Sequence, residues 1–324
     1  MKPALLRAAG AILGVVLPLA LFLGLVWVPP LEETRLSKAV FDAAHVPAFG
    51  CVALVALRVL KRRGRLVGSS PVRRYVAAFL LSGFLGAAAE ALQLVGPRDA
   101  DLGDVLRNLA GAGGFLVVAA TLDDRLGWPA RRGLAVGLRS ASIGMLAATV
   151  APMLALGKAY LERNRAFPLL CSFDAAWERR FLETERAELS VSQLPDKWRP
   201  DPANRAGRLT FRAGRLGGLE LEEPYPDWTC CERLSLTVYW DSQAPVMLLV
   251  RVASGPGPEP SRVTRRVTIE PGVNRLSIPL AELASDLRRV RQLELYAERP
   301  AESFSVYVDD IQIEGRRVGA KGPG

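Results

Sequence analysis

The chain has 324 residues, 50% hydrophobic and 23% charged, with 42 Lys and Arg against 33 Asp and Glu for a net charge of +9. With a mean hydropathy of +0.17, it is long enough for two domains and too apolar for a disordered polyelectrolyte. The basic excess would suit a nucleic acid, but much of it flanks apolar stretches, where membrane topology and anionic lipid account for it; a nucleic-acid partner is therefore excluded.

Taken in chain order, apolar stretches of transmembrane length, roughly 17 to 25 residues each, cover Leu5 to Val28, Ala39 to Leu60, Tyr75 to Val95, Val105 to Leu122 and Leu134 to Leu156. The first opens on Lys2 and Arg7. Its core is too long for a secretory signal and no small-x-small cleavage site follows, so it reads as a membrane helix. Residues 1–157 are thus expected to form a membrane α-helical bundle of about five transmembrane helices.

Basic residues set the orientation. Arg58, Lys61, Arg62, Arg63, Arg65, Arg73 and Arg74 fall between the second and third stretches with no acid among them. Arg125, Arg131, Arg132 and Arg139 follow the fourth. Both loops read as cytoplasmic, which puts the amino terminus inside and everything after Leu156 outside, in a plasma or inner membrane.

Within this apolar half runs a polar string: His45, then Glu90, Gln93, Arg98, Asp101, Asp104 and Asn108, followed by Gly111. Ionisable groups at membrane depth are costly and point to function. Glu90 and Gln93 share a helix face, as do Asp101, Asp104 and Asn108 at spacings of three and four. His45 lies about 10 Å into its helix at 1.5 Å per residue, so the groups gather near the extracytoplasmic boundary. One of Asp101 and Asp104 suits a helix amino-terminal cap. Asn108 and Gln93 suit interhelical hydrogen bonds, with Gly111 and Gly114 allowing close packing.

As chemistry, His45, Glu90 and Asp104 are candidates for acid-base roles, and Gln93, Arg98, Asp101 and Asn108 for ligand binding, Arg98 reading a phosphate or carboxylate. The histidine and carboxylates could also bind a divalent metal, but with one histidine in the chain and no paired-ligand spacing a catalytic zinc site of the usual kind is not expected, and no metal is assigned. No nucleotide-binding loop, serine elbow or cysteine-histidine pair is present.

The string Glu90-x-x-Gln93, Arg98-x-x-Asp101-x-x-Asp104-x-x-x-Asn108-x-x-Gly111, with His45 in Ala44-His45-Val46-Pro47-Ala48-Phe49, resembles the signature of the VanZ-like membrane family over residues 35–122. Phe41-Asp42 stand where that family often has Asp-Lys. The resemblance implies a cell-envelope protein linked to resistance to the glycopeptide teicoplanin.

From Phe167 the pattern changes to short alternating runs, Leu219 to Leu221, Leu234 to Tyr239, Met247 to Val252, Arg266 to Ile269, Leu293 to Tyr296 and Phe304 to Ile313. Turns at residues 255–258 and at Pro271-Gly272 separate some of them, which predicts an antiparallel β-sandwich over 167–315. Residues 158–166 read as a linker and 316–324 as a disordered tail. Cys171 is expected to bond Cys230 or Cys231 in an oxidising compartment.

Ser172-Phe173-Asp174, Glu270-Pro271-Gly272-Val273-Asn274 with Ile278-Pro279-Leu280, and Val306-Tyr307-Val308-Asp309-Asp310-Ile311 are similar to galactose-binding-like jelly rolls, a fold of many carbohydrate-binding modules. That implies an all-β jelly-roll sandwich and glycan binding. Trp177, Trp198, Tyr225 and Trp228 are the candidates for stacking on sugar C–H faces, while Trp240 suits packing. Asp174 with Asp309 or Asp310 would supply oxygen ligands for a structural calcium.

Three readings follow. The first is an envelope membrane protein binding a glycan or lipid-linked precursor. The second is an intramembrane enzyme acting on such a precursor through His45, Glu90 and Asp104. The third is a structural component whose sandwich binds protein.

Overall fold

A computed structural model describes residues 34–62, 70–93, 101–198, 204–257 and 259–316. The expected first span, Arg98 and residues 317–324 of the tail lie outside them. The chain divides into two compact units, Met1–Leu156 and Gly157–Gly324.

The described part of the first unit is built from α1 (Arg35–Arg62), α2 (Pro71–Gln93), α3 (Leu102–Thr121) and the start of α4 (Arg132–Ala166). All four are long and apolar enough to cross a membrane. Each start or stop has a local cause. Thr34 and Ser37 cap α1 reciprocally, each hydroxyl accepting the other's backbone N–H at 3.1 and 3.2 Å, as in a capping box. Asp101 caps α3 through Gly103 N at 2.8 Å. Arg139 of α4 donates to Thr121 O at 3.2 Å and so satisfies a carbonyl left open at the end of α3.

The outer helix faces of this unit are apolar, while its interior holds polar groups beside an apolar core of Phe49, Ala53, Leu57 and Leu116. His45, Glu90, Asp104 and Asn108 are buried, whereas Val76, Leu80, Phe84, Leu102, Leu106 and Ile143 are exposed. Small residues bring the helices together. A Cβ on Gly111 would lie 2.2 Å from the backbone oxygen of Val46, so α1 and α3 touch backbone to backbone there. Gly50 lies under the Phe115 ring and Gly114 under Leu146. At the far end of the same helices, Lys61 Nζ, Tyr75 OH and Asp123 Oδ2 form a second polar junction, with 2.6 Å from Lys61 and 3.1 Å from Tyr75 to the carboxylate.

The second unit is a sandwich of two antiparallel sheets. Strands are β1 (Leu169–Cys171), β2 (Leu182–Glu185), β3 (Ala187–Gln193), β4 (Arg205–Phe211), β5 (Gly217–Glu222), β6 (Cys231–Trp240), β7 (Val246–Ser254), β8 (Ser261–Ile269), β9 (Gly272–Pro279), β10 (Val290–Ala297) and β11 (Phe304–Arg316). One sheet has the order β3-β4-β11-β6-β9, with β1 also on β11; the other has β2-β5-β10-β7-β8. A bulge between Asp309 and Gln312 divides β11: its first half pairs with β4 and its second with β1. Asp310 takes φ 49° there, the left-handed region that Asp tolerates better than most residues.

Leu209, Phe211, Leu234, Val238, Leu248, Val250, Val306 and Val308 close the core between the sheets. Three expectations change here. Residues 158–166 are the last turns of α4, not an extended linker, and Tyr160 and Arg163 pack on Phe181 with their polar groups on Glu223. Cys230 is bonded to Cys231, while Cys171 is free and wholly buried on β1, its side chain enclosed by the core. Trp228 is 0% exposed with its indole N–H on Tyr225 O, so it is a core residue with no face to offer a ligand.

Gly111→Ala is expected to lower the stability of the helical unit by about 1–3 kcal/mol, the range for forcing atoms into a packed interior. Gly113→Ala, whose Cβ would meet only the Phe79 ring at 3.4 Å, should leave it unchanged. Thermal unfolding of the detergent-solubilised chain, followed by circular dichroism, separates the two.

Candidate functional site

Three helices deliver the polar groups to one place. His45 comes from α1, Glu90 from the last turn of α2, and Asp104 and Asn108 from the first two turns of α3, all with exposures of 5% or less. His45 Nδ1 meets Asn108 Oδ1 at 2.9 Å and His45 Nε2 lies 3.3 Å from Asp104 Oδ2. Glu90 Oε2 accepts the backbone N–H of Asp101 at 3.3 Å, which ties the end of α2 to the start of α3. One ligand-type atom from each of His45, Glu90 and Asp104 falls within 4.8 Å of the others.

Arg107 closes the site. Its Nη1 is 2.5 Å from Asp104 Oδ1 and 3.8 Å from Asp101 Oδ2, and its Nη2 is 3.4 Å from Asp42 Oδ2. A guanidinium shared by three carboxylates lowers the cost of holding them in an apolar unit. Sequence reasoning passed over Arg107 and met Asp42 only as a departure from the family pattern. The available signals were Asp104-x-x-Arg107, one helical turn apart, and Asp42 three residues before His45.

The structure therefore brings together His45, Glu90, Asp104 and Asn108, with Asp101 as the cap beside them. Gln93 is the last residue of α2. The arrangement offers an imidazole held by an amide, two carboxylates and a cation, suited to proton transfer or to gripping a polar group.

The aromatic candidates of the sandwich disperse. Trp198 lies on the outer face of the six-stranded sheet, 5.6 and 6.3 Å from the rings of Tyr239 and Tyr307, with Lys197 Nζ 4.4 Å over it. Tyr239 and Tyr307 are direct cross-strand partners. Trp177 packs edge-on to Phe181, and Tyr225 packs on Phe167 at 4.3 Å. Trp240 packs against Phe304.

A cleft of about 520 Å³ opens elsewhere, on the outer side of the five-stranded sheet, lined by Leu249, Thr264, Arg265, Arg266, Tyr296 and Glu298. Beside it Arg251 stacks 4.5 Å over Tyr296 and bonds Glu294 at 3.1 Å. Cross-strand register continues this row through Glu294, Glu220 and Glu183. Sequence reasoning weighed tryptophans and so missed this polar face, although the alternation in β10, with Glu294 and Tyr296 facing out, marks it.

Asp174 and Asp309 both reach the start of β4. Asp174 Oδ1 accepts Arg205 N at 3.0 Å and Asp309 Oδ2 accepts Asn204 Nδ2 at 3.0 Å. Asp309 Oδ1 takes Asp310 N at 2.9 Å. Both oxygens of Asp309 thus have protein donors. Among the described residues, the sets of three donors close enough for one ion are His45, Glu90 and Asp104, and Glu183, Glu220 and Glu222; the terminal aspartates do not form one.

No family model and no curated protein matches the chain. Solved structures do resemble the sandwich. A family 11 carbohydrate-binding module from Clostridium thermocellum, in complex with a β-1,3-1,4-mixed-linked tetrasaccharide, is 12% identical over 46% of this chain and 95% of its own, with a TM-score of 0.37. An exo-β-agarase is 14% identical over 46% of this chain and 25% of its own, TM-score 0.39. A Clostridium thermocellum xylanase 10B fragment with xylohexaose is 12% identical over 46% and 27%, TM-score 0.34.

Burial pushes the Asp309 carboxyl up to about 6, against which the Asn204 hydrogen bond pulls only partly back. The native state therefore keeps a proton that the unfolded chain, near 3.8, releases. Stability of the sandwich is expected to be full below about pH 4, to fall by about 2–3 kcal/mol as pH rises to 6, and to level off above. Asp309→Asn should flatten that slope. Urea unfolding between pH 4 and 7, followed by the chain's tryptophan fluorescence, reads it; an unchanged slope in the variant would assign the dependence to another group.

Proposed function

We propose that this chain is a multi-pass protein of the cell envelope, VanZ-like in its helical part, which binds the polar head of an envelope glycan or lipid-linked precursor at the His45, Glu90, Asp104 and Arg107 group. The observation that carries the reading is a convergence: ionisable side chains from three helices meet inside a unit whose outer helix faces are apolar. Such a unit is at home in a bilayer, and buried charge of this kind in a bilayer protein has a functional cause by default. The basic loops then face the cytoplasm and the sandwich lies outside.

In this reading Arg107 is the anion-gripping group that the sequence assigned to Arg98. The precursor's phosphate or carboxylate competes with Asp42 for the guanidinium fork. The sandwich engages glycan at the cleft of the five-stranded sheet, where Glu294 and Arg251 exchange hydrogen bonds with sugar hydroxyls beside Tyr296. A second reading, an intramembrane acid-base enzyme, is favoured by the convergence of His45, Glu90 and Asp104 inside the helical unit.

Thermal-shift titration of the detergent-purified chain with lipid-linked cell-wall precursors tests the site. Stabilisation is expected in the parent and is expected to vanish in Glu90→Gln, which keeps the side chain's shape and removes its charge. Equal stabilisation in both would move the ligand elsewhere, and a new product in the parent mixture would select the enzyme reading. For the sandwich, affinity electrophoresis in gels containing β-glucan is expected to retard the parent and to lose at least about tenfold in affinity with Arg251→Ala, the order of effect of a hydrogen bond from a charged group; unaltered retardation would exclude the cleft.

A further inference from the structure

We propose that His45, Glu90 and Asp104 form a divalent transition-metal site with an open coordination position, set between α1, α2 and α3. The site stands on ligand geometry and does not rest on the headgroup reading above.

The tautomer of His45 is the first argument. Asn108 Oδ1, a carbonyl oxygen that can only accept, lies 2.9 Å from His45 Nδ1. Nδ1 therefore carries the hydrogen, and in the neutral ring Nε2 presents a lone pair. This is the arrangement that orients a ligating imidazole: one ring nitrogen anchored by an oxygen, the other left to the metal.

What Nε2 faces is the second argument. It is buried and, among the described residues, makes no hydrogen bond, although Asp104 Oδ2 is only 3.3 Å away. The direction between them does not suit an N–H···O hydrogen bond. Two lone-pair atoms this close inside an apolar unit call for a cation beside both. A carboxylate oxygen of Glu90 completes the set within 4.8 Å. Bond lengths of about 2.0–2.2 Å to nitrogen and oxygen put ligands of one ion about 3–4.5 Å apart, which this set satisfies after small side-chain rotations.

The donor set also selects the ion. One imidazole with two carboxylates suits zinc or manganese over magnesium or calcium, which favour oxygen alone. Two carboxylates neutralise a divalent charge. Arg107 on Asp104 Oδ1 leaves Oδ2 as the ligating atom. Three protein ligands leave a further position for water or an oxyanion, as in catalytic zinc centres. No paired spacing betrays the site in the sequence, because each ligand comes from a different helix.

His45 is the chain's single histidine, which makes one measurement decisive. The full chain is purified in detergent with a tag other than polyhistidine, stripped with chelator, and titrated with Mn²⁺ in the absence of lipid, with Zn²⁺ as competitor. Protein labelled with ¹⁵N-histidine is compared with unlabelled protein by pulsed electron paramagnetic resonance. The expected result is one bound equivalent displaced by Zn²⁺, with nitrogen modulation that changes from the ¹⁴N to the ¹⁵N pattern on labelling. Asn108→Ala, which releases the tautomer but keeps all three ligands, should weaken binding about 10- to 100-fold. No stoichiometric ion, or a bound ion without imidazole coupling, would overturn the proposal. The parent protein alone decides between these outcomes, so the test stands even where a variant misfolds. Loss of precursor binding with the ion still bound would fault only the headgroup reading.

Discussion

Everything in the helical unit depends on where polar groups can go when the outer helix faces are apolar. An unsatisfied buried polar atom costs about 1–3 kcal/mol, and an unpaired buried charge costs more. His45, Glu90, Asp104 and Asn108 therefore have to meet one another, and meeting fixes the register of three helices. The His45–Asn108 hydrogen bond sets α1 against α3, and the bond from Asp101 N to Glu90 sets α2 against α3. Gly111 permits the first of these, since any Cβ there would strike Val46 O.

The opposite end of the unit obeys the same rule with different residues. Lys61, Tyr75 and Asp123 form a junction at the end of α1, the start of α2 and the end of α3. Sixteen residues separate His45 from Lys61 on one helix, about 24 Å at 1.5 Å per residue. The three helices are thus pinned by polar contacts at both ends and by small residues and Phe49, Ala53 and Leu116 between them. A frame fastened this way holds the site's side chains in fixed positions, and preorganisation is what binding or catalysis at an interhelical site requires.

How legible this was in the sequence follows from the same physics. Helical spacing placed Asp104 and Asn108 on one face, and polar residues in apolar runs stand out by cost alone, so the core of the site was visible. Arg107 was not, because an arginine one residue before Asn108 looks like a flank until its three carboxylate partners are known. Of the strands, β5, β6, β7, β8, β10 and β11 declare themselves by alternating apolar residues. The strands β2 and β3 are edges whose outward residues are polar and whose inward ones are few, and β4 is broken by Gly207, which leaves room for the Phe173 ring. Trp228 deceived for a related reason: its neighbours Pro226 and Asp227 are turn residues, yet the turn folds the indole inward and satisfies its N–H on Tyr225 O.

The sandwich distributes its polar groups the other way round, and the contrast explains its surface. Water can satisfy much of the outer faces of both sheets; Glu183, Glu220, Glu294 and Arg251 stand in register across one of them, and the buried Glu294 is held by Arg251 at 3.1 Å. Two acids, Asp309 and Glu178, are wholly buried. Asp309, at the bulge in β11, lies against Asn204, and its carboxyl is pushed up to about 6. The bulge is also what frees the second half of β11 to pair with β1. Joining the first strand to the last therefore comes with an acid held out of water, and the hydrogen bonds from Asn204 and Asp310 to that acid are what make the junction tolerable.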